Sequence, residues 1–560
     1  MRLQAVSPAE VEFRAVQLPP NVGVVMPVCR ALGLAQIVDD ICPMSWNEHL
    51  THGQVIEAMV LNIVQSATHR WPLYRFEEWA ADHSLGLLYD CPADAFNDDR
   101  LGRALDALVP PETLVPPEAE AERDQGDDEG DASGALPMDR IEAQVVTQAI
   151  SSYDIDVQAI HWDLTNVTFH GDYEAADLIG PGFGHGTMNR RQVQVSLSVA
   201  SEGGIPLHHL CVPSRAQQQP LAEDILKTLQ ERLPRTDLIV IADSKGVSYE
   251  IVGKYREAKA HFVSPLKPTA QQEQRLAAVP LEQFELLDYT TVRGPQELYR
   301  CHATTLALGP KKCKKPLLVQ ALFMHSTGKQ RRDEKTRRKR LDKGYQRLEE
   351  IAGYLNKNQY FHAEYAAKQL AGAVPKDARD IVRYSLEGED GKLELRWWSD
   401  WDAYQKAAVR DGRYILIYDL PEDRPPCDAF YLYKRQHLVE ARHRGLKSDL
   451  EVNPVWLKKE NRVLALVFVF ILALIVFSLL GLCSERAGLR TDRYPKMTAR
   501  ELLCRFGGIS MLIVRIRAGP IHCEINLSIE QAYLLHELGF PEPGSFLPNL
   551  KPDQTVGANE

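Results

Sequence analysis

Hydrophobic and polar positions change their period several times along this chain, and the changes mark out its elements. Up to about residue 110, apolar residues recur at helical spacing in runs such as VVMPVCRALGLAQIVDDI and GQVIEAMVLNIVQSATHRW, which predicts a compact helical region over 1–110. From about residue 157 the texture turns to alternation with β-branched residues. VQAIHWDLTNVTFHG and QVQVSLSVASEGGIPLHHLCV read as strands, with SEGG as the turn between two of them. The helical run LAEDILKTLQERL leads to a buried-strand pattern, DLIVIAD, and a second helix, VSYEIVGKYREA, follows. A meander of strands that gives way to alternating strands and helices predicts an α/β fold, a mixed sheet flanked by helices. Residues 260 to about 410 are less regular and contain a helix, YQRLEEIAGYLN, and an aromatic patch, LRWWSDWDAY. DGRYILIYDL then restores a strand, and YLYKRQHLVEARHRGLKSDL reads as one long helix.

The run VLALVFVFILALIVFSLLGLC, residues 463–483, carries no charge and is long enough to span a bilayer. A helix buried in a large core has the same composition. With 560 residues, 44% apolar and 25% charged, the chain is in the globular range and long enough for such a core. Its ten cysteines include no CxxC pair and no zinc-ligand spacing, so reduced structural thiols in a cytosol are expected. The start, MRLQAVSPAEVEF, has no secretion-signal pattern.

A net charge of -11 argues against a nucleic-acid partner until its distribution is examined. Residues 111–137 hold nine acids against one base, Arg123, and this Pro- and Gly-containing stretch reads as a disordered linker. Thirteen Lys or Arg fall between Lys311 and Lys343, including KKCKK and KQRRDEKTRRKR. The basic run, Lys335 and Arg338 within it, is a candidate phosphate-binding surface. A solvated helix face has the same pattern, and Asp333 and Glu334 interrupt the positive charge.

Three acids stand where a metal site would want them. Asp163 lies inside a strand pattern, where a carboxylate is costly unless a cation compensates it. Asp243 ends the apolar strand LIVIAD, at the sheet edge where ligands collect. Glu440 lies mid-helix. Each has a plainer reading: a strand-edge turn for Asp163, a helix N-cap before VSYEIVG for Asp243, a solvated partner of Lys447 or Arg444 for Glu440. His161, Asp163, His170 and Asp172 offer a competing metal-hydrolase strand, though 170 falls on the opposite face from 161 and 163 unless a turn intervenes. GFGHG at 182–186 lacks the Lys of a phosphate-binding P-loop.

Taken together, DLTNVTFHGDYE, QVQVSLSVASEGGIPLHHL, IVIADSKGVSYEIVGKYREAKAHFVSPLK and YKRQHLVEARHRGLKSDLEVNPVWLKKENRVLALVFVFILALIV resemble the DDE insertion-sequence transposases that carry a Tyr-Arg-Glu-Lys signature. The likeness runs in order from about residue 157 to 480, and the helical region before it resembles the N-terminal domain of one branch of those enzymes. Tyr433, Glu440 and Lys447 fall at the signature spacings, while Gln436 occupies the Arg place with Arg435 beside it.

The resemblance implies an RNase H-like core interrupted by an insertion between the second Asp and the Glu. It divides the chain into a helical domain expected to bind DNA (1–110), the linker (111–137), the first part of the core (138–260), the inserted subdomain (261–410), the second part of the core (411–485) and a C-terminal region (486–560). It implies that Asp163, Asp243 and Glu440 hold two Mg²⁺ ions, or Mn²⁺ in their place, and that the enzyme cuts at terminal inverted repeats and joins the 3′-hydroxyl ends to target DNA. Tyr433, Arg435 and Lys447 would then contact DNA near the scissile phosphate, with Lys335 and Arg338 on the backbone and Trp398, beside Trp397 and Trp401, stacking on an unpaired base. It further implies a buried helix at 463–483 rather than a membrane span, a homodimer in the DNA complex, and a bacterial cytoplasmic protein found at the nucleoid when bound to DNA. An RNase H-like nuclease, or a domesticated DNA-binding descendant, would share the fold.

Overall fold

The computed structural model describes residues 11–44, 49–68, 71–114, 135–169, 178–184, 187–214, 218–235, 237–244, 248–291, 295–309, 315–450, 457, 459–491, 494–507, 509–516 and 521–547. Most of the acidic linker, His170, Asp172, His185 of the GFGHG loop and Lys311, Lys312 and Lys314 of the basic run lie outside them. The fold is mixed α/β, in two compact units: residues 1–241 with 435–560, and residues 242–434.

The first unit contains the meander. Helix α1 (Pro137–Tyr153) precedes strands β1 (Ala159–Phe169), β2 (Thr187–Ala200) and β3 (Pro206–Pro213). Helix α2 (Gln218–Arg232) then leads to the short strand β4 (Ile239–Ile241). β1 pairs antiparallel with β2 and β2 antiparallel with β3, whereas β4 runs parallel to β1 with His161 opposite Ile241. The order in this unit is therefore β3–β2–β1–β4, and the strand Gly180–Gly184 pairs with the start of β2. The SEGG turn joins β2 to β3 as the sequence predicts. Gly203 and Gly204 both sit at left-handed φ, +64° and +61°, which a side chain would strain.

Helix α3 (His437–Arg444) passes into a π-helical turn, Gly445–Asp449, and is followed by helix α4 (Glu460–Arg486). α4 is long and apolar enough to cross a membrane, yet its apolar window is entirely buried inside the protein. A helix that is apolar on every side needs neighbours all round it. Here they are the helices Val22–Ala31, His52–Gln65 and Asp98–Leu108, together with α1 and β3. Burying each Leu, Ile, Val or Phe of such a helix contributes roughly 1.5–3 kcal/mol, so α4 organises the core of this unit. At its polar start, Arg462 donates to both carboxylate oxygens of Asp106 (2.8 and 2.6 Å), and Asn461 donates to the Val109 carbonyl at 2.9 Å.

The helices predicted for the first 110 residues thus pack into the same unit as the meander. The N-terminal strand Val11–Leu18 also pairs with Ile509–Ile516, which in turn pairs with Ile521–Asn526. Partner surfaces rather than composition decide this grouping, because those helices lay their apolar faces on α4.

A single carboxylate ties four elements of this unit together. Glu142, fully buried on α1, accepts from the His209 amide (2.9 Å) and His209 Nδ1 (2.5 Å), from His208 Nδ1 (3.0 Å) and from Arg232 Nη1 of α2 (2.9 Å). The His209 ring stacks on Phe468 of α4, 5.5 Å between centroids. Burial opposes the charge on Glu142, but the facing His209 and His208 outweigh it and hold the carboxyl well below its usual range.

The second unit is built on an antiparallel sheet in the order His261–Leu266, Arg413–Asp419, Leu317–Ser326, Tyr299–Leu308, Glu285–Leu287. Arg413–Asp419 sits between two of its strands. The predicted helix at 345–356 and the second half of the basic run form one 28-residue helix, Thr327–Tyr354. Its Leu341, Leu348 and Ile351 close a small core against Leu370, Val382 and Leu393, with Trp397 and Tyr404 packed on the edge.

Candidate active site

In the first unit, α3 packs on β1 and β2, and three sets of contacts seat it there. At its start, Gln436 Oε1 accepts from His161 Nδ1 at 3.1 Å and Gln436 Nε2 donates to the Trp162 carbonyl at 3.4 Å. The other His161 nitrogen meets Ser201 Oγ at 3.2 Å, and Arg435 donates to the same hydroxyl at 3.4 Å. At the far end, Arg442 donates through Nε to the Gly204 carbonyl (2.9 Å) and through Nη2 to that of Gly203 (2.5 Å). A side chain at Gly204 would press on the Arg442 guanidinium, so the turn glycines serve the helix as well as the hairpin.

The third contact is chemical. His443, buried on α3, directs Nδ1 toward Asp163 Oδ2 at 3.6 Å, while Asp163 Oδ1 accepts the Leu164 amide at 2.8 Å. Burial pushes the His161 imidazole down to about 4, and burial followed by the Lys447 charge pushes His443 down to about 3, so both rings are neutral near pH 7. Lys447, half-buried in the π-helical turn, is lowered by burial, with the Asp163 charge opposing that shift. A half-buried carboxylate therefore has a neutral ring and an ammonium for neighbours.

Gln436, Glu440 and His443 are four and three residues apart, which places them on one face of a helix. The outer two touch β1, whereas Glu440 is exposed at the rim of that face and makes no hydrogen bond or ion pair among the described residues. Asp163 lies two residues beyond His161 on β1, and Asp243 lies two residues beyond Ile241, the residue paired in parallel with His161. Within the second unit, Asp243 is half-buried and its carbonyl accepts from Ser264 Oγ at 3.1 Å. It is not the N-cap of the following helix. Ser248 fills that role, accepting the Ile251 amide at 3.3 Å.

Carboxylate oxygens are the hard donors that Mg²⁺ prefers, and Glu440 has no competing cation among the described residues, so the donor chemistry fits a hard divalent ion. No three His, Cys, Asp or Glu side chains among the described residues already stand close enough to hold a metal. The competing histidine strand fails at His161, whose two nitrogens are taken up by Gln436 and Ser201.

The single long helix expected around Glu440 is in fact two. The chain forms a helix over Asp428–Lys434, breaks its ladder at Arg435 and Gln436, and resumes as α3. At the break the Gln436 side chain is engaged with β1. Tyr433 therefore sits on the preceding helix, and Lys447 follows α3 in a π-helical turn. The adjacent Lys434 donates to Tyr299 Oη at 2.7 Å.

On the 28-residue helix, Arg331, Lys335, Arg338 and Lys339 lie along one exposed face and have no ion pair among the described residues. Arg337 points elsewhere: it pairs with Asp411 (2.5 Å) and lies over the Tyr404 ring, which stacks on Trp401. Trp398 is 52% exposed and Trp401 62%, whereas Trp397 packs on the small core. Sequence reasoning missed His443, Arg442 and the anchoring role of Gln436. The spacing Glu440-x-x-His443 was the one available signal.

Comparison with known proteins adds two observations. Residues 17–113 match a domain of unknown function, DUF4277. A piggyBac transposase solved as a synaptic complex with hairpin DNA is similar over 96% of this chain and 87% of its own, at 10% identity and a TM-score of 0.37. No curated protein matches the chain.

Proposed function

We propose that this protein is a DDE-type DNA transposase with an RNase H-like core, cutting at the ends of an insertion sequence and joining the 3′-hydroxyl ends to target DNA. The observation that supports this reading is Asp163 central on β1 with Glu440 on the helix packed across that strand; along the sequence, Asp243 follows by two residues the strand that pairs in parallel with β1. A three-strand antiparallel meander followed, after a helix, by a strand parallel to the first supports an RNase H-like reading of the core.

Asp163, Asp243 and Glu440 would hold two Mg²⁺ or Mn²⁺ ions. When bound, such ions neutralise charge at the phosphate and make water, and later a 3′-hydroxyl, a usable nucleophile. The chain's own part is positioning. Gln436 and His443 seat α3 on β1 and Arg442 ties it to the turn between β2 and β3, so that Glu440 and Asp163 approach a phosphate from fixed supports. Lys447, with Tyr433 and Arg435, would bind DNA phosphate next to the scissile bond. The exposed face carrying Lys335 and Arg338 would follow the duplex backbone, and Trp398 would stack on an unpaired base. Two transposon ends brought together imply a homodimer in the DNA complex.

The test is cleavage of a plasmid carrying the element's own terminal inverted repeats. Wild-type protein should nick at the ends in Mg²⁺ and not in EDTA. Cleavage by Asp243→Ala protein at the wild-type rate would remove the assignment.

A further inference from the structure

The scheme above uses the side chain beside Asp163 only to seat α3. His443 is three residues after Glu440 on α3, buried, with Nδ1 3.6 Å from Asp163 Oδ2. Its other nitrogen, Nε2, is buried and has no hydrogen-bond partner among the described residues. An imidazole placed in this way has one polar contact to make, with the carboxylate in front of it. A proton on Nδ1 directs an N–H at Oδ2, and it leaves Nε2 as a bare lone pair, which is cheaper to bury than an unpaired donor. The ring cannot easily turn away, because α3 is fixed at both ends, by Gln436 on His161 and Trp162 and by Arg442 on Gly203 and Gly204. The other carboxylate oxygen, Oδ1, is already held by the Leu164 amide.

We propose that His443 is a positioning residue for Asp163: its Nδ1 stands 3.6 Å from the second carboxylate oxygen, about 0.5 Å beyond a hydrogen bond, and donates to that oxygen when the carboxylate turns to a divalent cation, which fixes one orientation. This rests on the reading of Asp163 as a metal ligand. Outer hydrogen bonds of this kind orient ligating carboxylates and typically change metal affinity 10- to 100-fold when removed. The Glu440-x-x-His443 spacing then has a purpose: one helix supplies a ligand and, one turn later, the donor that orients a ligand on the facing strand.

The test uses the full chain and Mn²⁺ as probe, with binding read by the loss of free-Mn²⁺ electron paramagnetic resonance signal. Wild type, Asp163→Asn, His443→Leu and His443→Asn are compared, with metal-free thermal unfolding of each. His443→Leu removes the donor, whereas the amide of His443→Asn places an N–H close to Nδ1. The expected result is about tenfold weaker Mn²⁺ binding by His443→Leu and recovery to within about threefold of wild type by His443→Asn. In end cleavage, His443→Leu should need more Mn²⁺ for half-maximal rate, and His443→Asn should restore the wild-type requirement. If Asp163→Asn loses Mn²⁺ while His443→Leu binds it as wild type does, the His443 proposal is overturned and the ligand reading stands. If Asp163→Asn binds Mn²⁺ unchanged, the ligand reading fails and takes this proposal with it. If His443→Asn is as weak as His443→Leu while unfolding like wild type, the donor role is refuted.

Discussion

Replacing Glu142 by Gln keeps the shape of the side chain and removes the one negative charge that His208, His209 and Arg232 share. One carboxylate oxygen takes the His209 amide and ring; the other takes His208 and Arg232. A Gln amide has one acceptor, so its NH₂ must face donors on one side. Removing one member of a buried charge cluster typically costs about 3–5 kcal/mol. Arg232 retains 22% side-chain exposure and can be rehydrated, which puts the expected loss at the lower end, about 3 kcal/mol. With a urea m-value of about 3 kcal/mol/M, the unfolding midpoint of residues 1–241 and 435–560 should fall by about 1 M. Tryptophan fluorescence and hydrogen exchange resolved by peptide would follow it, and exchange in residues 242–434 should be unaffected. A Glu142→Gln protein whose first unit unfolds within about 0.5 kcal/mol of wild type would refute the argument that this cluster is a central tie.

Other perturbations have equally definite outcomes. His161 and His443, held at about 4 and about 3, take up protons on unfolding that the folded chain refuses, so stability should drop as pH falls from 7 to 5, by on the order of 2 kcal/mol for each ring. His209, raised by Glu142 against the burial that lowers it, works the other way, its stabilisation being complete below 6.5 and lost as pH rises through its folded value; urea midpoints of wild type and His209→Phe across this range separate the two. Gln436→Ala leaves the His161 Nδ1–H without its acceptor, should cost about 1–3 kcal/mol, and should speed amide exchange in 437–444; unchanged exchange there would show that Gln436 does not seat α3. Lys335→Ala and Arg338→Ala should each reduce the slope of log K against log salt for duplex DNA by about 1, without altering sequence preference.

What could be read in the sequence was local. β1, β2 and β3 follow from alternation with a Gly-Gly turn, and the burial of α4 from an apolar run that fits a core as well as a membrane. The strand carrying Asp163 and a helix around Glu440 were legible because each keeps its own period, although the helix is shorter than expected. The break at Arg435 and Gln436 was not legible, since Lys, Arg and Gln are all good helix formers. At the break Gln436 meets His161, 275 residues away along the chain, a contact that no local pattern announces. Glu142 was not legible as a tie, because its meaning depends on His208, His209 and Arg232, which only the folded chain brings to it. The grouping of residues 1–110 with α4 escaped composition for the same reason, because it depends on which apolar face meets which.

The most direct test of the account is strand joining. Purified protein, a pre-cut duplex bearing the element's terminal repeat with a free 3′-hydroxyl, and a supercoiled target plasmid are combined with Mg²⁺ or EDTA, and joined product is measured by gel. The account predicts joining by wild type in Mg²⁺ only, and none above background by Asp163→Ala, Asp243→Ala or Glu440→Ala, each checked for wild-type folding. Joining at the wild-type rate by any of the three folded variants, or by wild type in EDTA, would contradict it.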